Sequence, residues 1–502
     1  MITVRRHIPP AAERLRAPAL FGAILLFAWV LAHKLVPMAL AQPKLALGAP
    51  VFLLAIVACA RRPAAALIAV LAVTGFSGTI PAFTGVKGGS VASLILAALW
   101  AATLWGLVSG ERRRAAWLWP GVIACGFYLA LTSFELLTAP SMQVAFESFR
   151  TSAWFILAAL LVGYSQWSQE TYVRVAQGAV VVALVVGAYA LLHKVIGTTA
   201  TEYDYALQIT GVIPSNETLR FFGSLPSAQE LASWCSSCGV FALAFALGAN
   251  GRWRWIAGCA AALCLMAVLL SEIRAGLLAF AAGSIVVLVH SQLSQARGPR
   301  IGSSLLVAAA LVLAGAAGFV WVAGSSEGAS RRYQAILRPS TDQAYEIRVQ
   351  RWKSVLAEAK QHPFGEWLGS AGGAAARFSP YDTLGAGNID SSYLKIALEQ
   401  GLAVLAFFVA SLLLLLAGLS RRAAIARDPP AATLGIGAAG VLTGMLVLFY
   451  LGLYIEGLGA LAGWILVGLG ISQFATLPAP TGAAAEAPPS PLSAAPAPVA
   501  AR

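Results

Sequence analysis

Apolar runs close to 20 residues long repeat along most of this chain, separated by short polar connections. A helix needs about 20 apolar residues to cross a hydrocarbon core of about 30 Å. The pattern therefore predicts an all-α polytopic membrane protein with about 12–14 transmembrane helices. The predicted spans are 17–35, 45–60, 64–82, 90–108, 115–137, 151–166, 175–193, 228–248, 255–271, 275–291, 303–323, 391–418, 431–453 and 457–475.

Polar residues divide this pattern into four segments. A first transmembrane bundle covers 1–323, one long polar loop covers 324–390, and C-terminal transmembrane helices cover 391–475. The segment 476–502 is rich in alanine and proline and cannot bury a core, so we predict that it is disordered. The basic start of the chain resembles a signal sequence, but the apolar run after it is long enough to span, which predicts an uncleaved first helix.

The composition and charge agree with a membrane protein. Hydrophobic residues make up 59% of the chain and charged residues 11%, whereas soluble domains carry roughly 25% charged residues. The net charge is +13, and much of the excess is arginine in short connections, where it sets topology. Nucleic acid is therefore not an expected partner. Arginine-rich connections alternate with arginine-poor ones, which predicts two cytoplasmic termini and an outer position for the long loop.

The six cysteines all lie in apolar stretches, and Cys235 and Cys238 form a C-x-x-C pair. Redox chemistry or a metal is one interpretation of this pair. No second ligand pair accompanies it, and a zinc site needs about four ligands. We interpret the two residues as small packing residues on one helix face and expect neither a metal nor a cofactor.

Two arginines are predicted to lie close to the outer membrane face. Arg274 stands between two apolar runs that have almost no connection between them. An arginine at membrane depth costs roughly 2.5–3.5 kcal/mol on insertion scales, so it needs Glu272, another carboxylate or an anionic ligand as a partner. A snorkelling side chain that anchors the helix end is the alternative. Arg220 lies in a turn-rich stretch and is either an interfacial arginine or a second ligand.

A helix start follows Arg220. Ser227 has Glu230 three residues after it, and this spacing predicts a capping box in which the two side chains satisfy each other's backbone N–H groups. The helix that begins here is then the predicted span 228–248.

The long loop contains one amphipathic helix, predicted over 345–360, that lies on the outer surface or packs over the bundle. Arg348 and Trp352 are four residues apart on it, which makes Arg348 a candidate anion ligand. Arg351 and Lys353 flank the apolar stripe, and we interpret them as a solvated face.

Three further ionisable groups are candidates for chemistry. His362 precedes a proline and a glycine that force a turn, so it is either an acid–base group or a helix terminator. Asp390 precedes the apolar helix that holds Tyr393. It is either a helix cap or a carboxylate at the mouth of a membrane cavity that accepts a proton from a sugar hydroxyl. Glu399 lies deeper in that helix, where a charge needs a partner.

Several arginines and a carboxylate at one face of a helical bundle suit an anionic, lipid-linked substrate. The planar guanidinium binds two phosphate oxygens at once, and it stabilises the charge of a departing diphosphate. No Asp-x-Asp motif or histidine–cysteine cluster is present, which favours a reaction without a metal ion.

The ordered set of motifs resembles the O-antigen ligase and polymerase superfamily of bacterial surface-polysaccharide assembly. The set runs through 220–226, 271–276, the pair Arg348 and Trp352, 362–365 and 390–401. The resemblance implies a metal-independent glycosyltransferase of the GT-C type in the bacterial inner membrane, with its active site facing the periplasm. The donor it implies is a glycan on undecaprenyl diphosphate, surrounded by membrane lipids.

The resemblance also implies roles for individual residues. The diphosphate-binding residues are Arg220, Arg274 and Arg348; the catalytic residues are Asp390 and Arg274; the candidate acceptor-binding or supporting residues are His362, Tyr393 and Glu399.

One departure from the family pattern bears on the reaction. Ligases of the family place a histidine where the last motif begins, and this chain has Asp390 there. The difference favours a polymerase of O-antigen or exopolysaccharide, with a chain-length regulator as a candidate partner. A ligase that uses lipid A-core as acceptor is the alternative. A flippase or transporter is an alternative of another class, but transporters typically place charges at the bilayer midplane and show internal repeats.

Overall fold

The computed structural model of the chain describes residues 48–108, 120–210, 219–294, 343–378, 389–426 and 428–475, with a few helical positions between 315 and 324. Regular structure in these ranges is entirely α-helical, which confirms the predicted all-α class. The predicted span 17–35, most of 303–323 and the tail 476–502 lie outside the described residues.

The helices of the described ranges are numbered here in chain order. They are α1 (Gly48–Arg61), α2 (Pro63–Gly75), α3 (Thr79–Thr84), α4 (Gly88–Val108), α5 (Pro120–Thr138), α6 (Met142–Thr151), α7 (Ala153–Tyr164), α8 (Gln169–Ile196), α9 (Ala200–Thr210), α10 (Ala228–Gly248), α11 (Arg252–Leu270), α12 (Arg274–Leu293), α13 (Gln343–Gln361), α14 (Gly372–Phe378), α15 (Ser392–Gln400), α16 (Leu402–Ile425), α17 (Pro429–Leu451) and α18 (Leu458–Ala475).

Eight of these helices are long and apolar enough to cross a membrane, namely α4, α5, α8, α10, α11, α12, α16 and α17. Two bent pairs raise the number to ten if each is one broken span: α1 with α2, bent by 111°, and α6 with α7, bent by 44°. Helix α18 is apolar but shorter. The protein is therefore a multi-pass membrane protein, and the described residues account for eight to ten of the about 12–14 predicted spans.

The predicted span 391–418 is wrong as a single helix. Helix α15 ends at Gln400, Gly401 adopts φ +91°, and α16 begins at Leu402. A Cβ atom at Gly401 would lie 2.3 Å from the carbonyl oxygen of Pro363, so only glycine allows the two backbones to approach this closely. The break separates the short helix α15 from the membrane-spanning helix α16.

Helix α10 lies at the centre of the bundle, and 89% of its apolar membrane-spanning stretch is buried. A Cβ atom added at Gly239 would lie 2.7 Å from Cβ of Cys264 on α11, so the small residue lets the two helices approach closely. Cys235, Cys238 and Cys264 are all buried and form no disulfide. This agrees with the interpretation of the C-x-x-C pair as packing residues.

Helices α12 and α17 cross with their backbones in near contact. A Cβ atom at Gly283 would lie 2.7 Å from the carbonyl oxygen of Gly440, and one at Gly444 would lie 3.1 Å from that of Ala279. Because the contacts run from 279 to 283 on one helix and from 444 to 440 on the other, the helices are antiparallel. The start of α12 and the end of α17 therefore lie together, and we call this the site end of the bundle.

The close contact of Gly283 with α17 predicts that adding one methyl group at this position destabilises the protein. Gly283→Ala should lower the free energy of unfolding by about 1–3 kcal/mol, because the new Cβ meets backbone that cannot move aside. Gly258→Ala on α11 is the matched control, since its Cβ would meet no atom within 4 Å. Unfolding in mixed detergent micelles measures both variants. Equal stabilities of the two variants would show that the crossing is loosely packed.

Candidate functional site

Helix α13, at the predicted position of the amphipathic helix, docks on the site end of the bundle. The ring of Trp352 packs against that of Tyr450 near the end of α17, with 5.1 Å between the ring centroids. Arg348 donates a hydrogen bond of 3.4 Å to the carbonyl oxygen of Leu451, the last residue of α17. The polar loop thus covers the end of the membrane-spanning helices at this point.

Asp390 forms ion pairs with two arginines of α13. Its Oδ2 atom is 3.6 Å from Nε of Arg348 and 3.7 Å from Nη1 of Arg351. All three side chains are more than a third exposed, so these loose pairs add little stability and remain open to a ligand. The N-cap of α15 is Ser391, so the structure uses Asp390 as a partner of arginines rather than as a helix cap.

The Nε atom of Arg348 indicates that this side chain can bind an anion. Its Nε atom is buried and makes no hydrogen bond among the residues that the structure describes. A buried donor is normally hydrogen-bonded, whereas this one only faces Oδ2 of Asp390 at 3.6 Å, so the loose pair can give way to an oxygen that a ligand brings. Arg351 was missed by the sequence analysis because it flanks the apolar stripe of α13 and has the pattern of a solvated residue.

Tyr454 marks the meeting point of the charged groups. Burial raises the pKa of its phenol; the charges of Arg348 and Arg220 lower that pKa, and those of Glu230 and Asp390 raise it. These four side chains therefore lie within electrostatic reach of one buried hydroxyl group. The exposed Arg220, from the segment before α10, is in this way brought to the same region as Arg348 and Asp390.

Arg274 is the first residue of α12 and lies half-buried at the site end. The turn before it is as tight as predicted, because α11 ends at Leu270. Glu272 adopts φ +56° in this turn, and Oγ of Ser271 accepts a 3.2 Å hydrogen bond from the N–H of Ile273. The antiparallel crossing of α12 and α17 places Arg274 at the same end of the bundle as the α13 arginines.

The start of α10 departs from the predicted capping box. Oγ of Ser227 accepts the N–H of Glu230 at 3.2 Å, as expected. The Glu230 carboxylate, however, accepts a 3.0 Å hydrogen bond from the N–H of Gly459 in α18. Glu230 therefore joins two helices at the site end instead of closing the cap.

The residues after Asp390 fasten α15 to the connection between α17 and α18. Oγ of Ser392 donates to the carbonyl oxygen of Gly452 at 2.9 Å and accepts the N–H of Tyr454 at 3.0 Å. The hydroxyl of Tyr393 donates to the carbonyl oxygen of Leu446 at 3.1 Å. The Tyr393 hydroxyl is therefore engaged with α17. The hydrogen bonds of Ser392 fix the position of nearby Asp390 relative to the connection between α17 and α18.

A buried lysine organises the other side of α15. Lys395 is 1% exposed and forms an ion pair with Glu399, a second one of 3.4 Å with Glu456, and a 2.8 Å hydrogen bond to Oγ of Ser148. Burial lowers the pKa of Lys395, but the charges of the two carboxylates outweigh this and raise it, so the ammonium group stays protonated. Sequence reasoning identified Glu399 and missed Lys395. A lysine four residues before a glutamate in an otherwise apolar helix was the available signal.

Loop N–H groups complete this cluster. Oε1 of Glu399 accepts the N–H of Gly369 at 3.0 Å and of Ala371 at 3.4 Å. Oε2 of Glu456 accepts the N–H of Gly373 at 3.0 Å. The buried carboxylate of Glu399 and the carboxylate of Glu456, which is 13% exposed, are therefore supported by backbone N–H groups before and at the start of α14. These contacts tie this part of the loop to α15.

His362 is not brought to Asp390. It is exposed and follows the last residue of α13, eleven residues after Arg351, which corresponds to about 16 Å along the helix. Its neighbours are Glu358 and Glu366.

These features define a multi-pass, all-α membrane protein with an accessible arginine–carboxylate site at one end of its bundle. Residues 259–409 match the model of the family described as O-antigen ligase. The matched segment runs from α11 into α16 and contains Arg274, Arg348 and Asp390. It confirms the resemblance to the O-antigen ligase and polymerase superfamily and supports a membrane function of ligase or polymerase type. No curated protein matches the chain.

The Lys395 cluster predicts a large loss of stability when its cation is removed. Lys395→Met should lower the free energy of unfolding by about 3–5 kcal/mol, because the buried carboxylate of Glu399 and the largely buried one of Glu456 lose their partner. Lys353→Met, at an exposed position of α13, is the control and should change stability by about 0.5 kcal/mol or less. The double variant Lys395→Met/Glu399→Gln should recover part of the loss. Equal unfolding curves for Lys395→Met and the control would contradict this role.

Proposed function

We propose that this protein is a membrane-embedded glycosyltransferase that polymerises oligosaccharide repeat units carried on undecaprenyl diphosphate into O-antigen or exopolysaccharide. The observation that carries the proposal is the position of Asp390 between Arg348 and Arg351, at the end of the bundle where the segments of Arg220 and Arg274 also lie. The O-antigen ligase match over 259–409 supports the superfamily and thereby this chemistry.

The arginines are suited to hold the donor diphosphate. Nε of Arg348 makes no hydrogen bond and only a 3.6 Å ion pair with Asp390, which a diphosphate would replace, and a guanidinium binds phosphate oxygens through two parallel N–H groups. Arg220 and Arg274 approach from two other segments of the same bundle end. Negative charge grows on the diphosphate as the glycosidic bond breaks, and these cations stabilise that charge in the transition state.

Asp390 is proposed to activate the acceptor. Its carboxylate takes the proton of the acceptor hydroxyl as that oxygen attacks the anomeric carbon of the donor glycan. A new carbon–oxygen bond forms, the bond from the anomeric carbon to the diphosphate oxygen breaks, and undecaprenyl diphosphate leaves with the bonding electrons. Arg348 and Arg351 hold Asp390 in the free protein, so a diphosphate that binds them would free the carboxylate to act as a base.

A ligase is the second candidate function. It performs the same bond exchange with lipid A-core as acceptor, and the match to the O-antigen ligase family favours it. Asp390 stands where ligases of the family have a histidine, and this favours the polymerase. A flippase is the candidate of another class, and the gathering of charge at one end of the described bundle argues against it. In this proposal the site faces the periplasm, both termini are cytoplasmic, and the reaction uses no metal ion.

Reconstitution separates the three functions. Proteoliposomes that hold the purified protein and lipid-linked repeat units should form polymer in the absence of lipid A-core. Transfer that occurs only with lipid A-core would identify a ligase, and movement of the lipid without bond formation would identify a flippase. Either of these results would overturn the polymerase proposal.

Substitutions at the proposed diphosphate site should stop polymer growth without preventing membrane insertion. Arg274→Ala should lower the rate by about 10²–10³-fold, since it removes a cation that acts on the leaving group. Arg252→Ala, an exposed arginine at the start of α11, is the control. Gel analysis of the glycan measures both, and a normal chain-length distribution from Arg274→Ala would contradict its role.

The proposed base has a separate test. Asp390→Asn should lower the rate by about 10²–10⁴-fold, because the amide cannot accept the proton of the acceptor. Asp204→Asn changes an exposed carboxylate of α9 and should leave the rate unchanged. The decisive measurement is the initial rate at saturating donor and acceptor. Comparable rates for the two variants would remove Asp390 from the chemistry.

A further inference from the structure

Three metal-ligating side chains meet at the turn after α13, away from the proposed reaction site. One ligand atom from each of Glu358, His362 and Glu366 lies within 4.8 Å of the others. His362 and Glu366 are exposed and Glu358 is half-buried, so a solute can reach the cluster. The grouping joins an imidazole nitrogen to two carboxylates, which is a mixed nitrogen and oxygen donor set.

The backbone holds the three residues in a fixed arrangement. The N–H of His362 donates to the carbonyl oxygen of Glu358 at 3.1 Å, and the N–H of Gly365 donates to that of His362 at 2.9 Å. The N–H of Glu366 donates to the carbonyl oxygen of Leu398 in α15 at 2.8 Å. The last ligand is thereby fixed to a second helix, and a ligand set placed in this way needs little reorganisation to bind an ion.

Electrostatics at this position favour a cation. The carboxylates of Glu358 and Glu366 repel each other at this separation. The C-terminal end of α13 adds the negative pole of its helix dipole, and cations are stabilised within the last helical turn. A divalent ion between the two carboxylates would convert this repulsion into attraction.

We propose that the cluster formed by Glu358, His362 and Glu366 binds a divalent transition-metal ion of the zinc or cobalt class. Magnesium and calcium prefer sets made only of oxygen ligands, whereas an imidazole suits the later transition metals. Three protein ligands leave coordination positions for water, and the accessibility of the cluster allows this.

The ion would brace the turn between α13 and α15 rather than act on substrate. Along α13 the cluster lies about 10 Å (Glu358) to about 16 Å (His362) from Arg351, so it does not reach the reacting groups. An ion held by α13 and by the residue bonded to Leu398 would lock together the helix that carries the two arginines and the helix that follows Asp390. This inference does not depend on which glycan reaction the protein performs.

Cobalt binding to the full chain in detergent micelles tests the proposal. Co²⁺ is the probe because its visible absorption distinguishes nitrogen and oxygen ligands from the thiolates of the chain's six cysteines. The protein is purified with a tag that contains no histidine. We expect saturable binding of one Co²⁺ per chain, a spectrum of nitrogen and oxygen ligation, and a melting temperature that rises with Co²⁺ concentration.

Variants locate the ion. His362→Ala and the isosteric Glu366→Gln should each weaken binding by about tenfold or more. Glu346→Gln, a carboxylate in the first turn of the same helix, should bind as the wild type does. Circular dichroism confirms that each variant is folded, and the isosteric change guards against a fold defect in His362→Ala. The proposal is overturned if the wild type shows no saturable binding, or if both cluster variants bind as tightly as the wild type.

Discussion

The buried ion pair between Lys395 and Glu399 is the contact on which the site end depends. An ammonium group with 1% exposure cannot remain in a membrane protein without compensation, and the chain surrounds it with two carboxylates and a serine hydroxyl. Backbone N–H groups donate in turn to the carboxylates. These partners come from α6, the loop before α14, and the connection between α17 and α18. One short helix is thus surrounded by fixed neighbours, and its preceding residue, Asp390, acquires a defined position without being buried itself.

The two ends of α15 differ in burial, which indicates that one end has a structural role and the other lies at the proposed reaction site. Lys395 and Glu399 are buried and paired with each other and with neighbouring groups, whereas around Asp390 the charged groups are accessible and joined only by loose ion pairs. Rigid support beneath an open charged surface suits the proposed function, in which the site binds a charged lipid and then releases it. The Arg348 side chain, which is 39% exposed and loosely paired with Asp390, belongs to this open surface.

Local patterns in the sequence correctly predicted the fold class, helix α13 and the tight turn before Arg274, because each depends on periodicity or on neighbouring residues. The division at Gly401 was missed because the residues that follow it stay apolar without interruption. Glu456 was missed since its contact with Lys395 joins residues 61 positions apart, which no local pattern reports. Glu230 shows the same limit of local patterns. Its spacing from Ser227 predicts a capping box, but its carboxylate accepts a hydrogen bond from the N–H of the distant Gly459.

The direct backbone contact of Gly401 with the turn at Pro363 has a mechanical consequence. A Cβ atom on Gly365 would lie 2.4 Å from the carbonyl oxygen of Glu399. The backbone of the turn therefore packs directly against the backbone at the end of α15. No side chain lies between them that could change rotamer and absorb a displacement. A displacement of the turn at Pro363 is therefore passed directly to the backbone at the end of α15, so the turn and this helix are mechanically coupled.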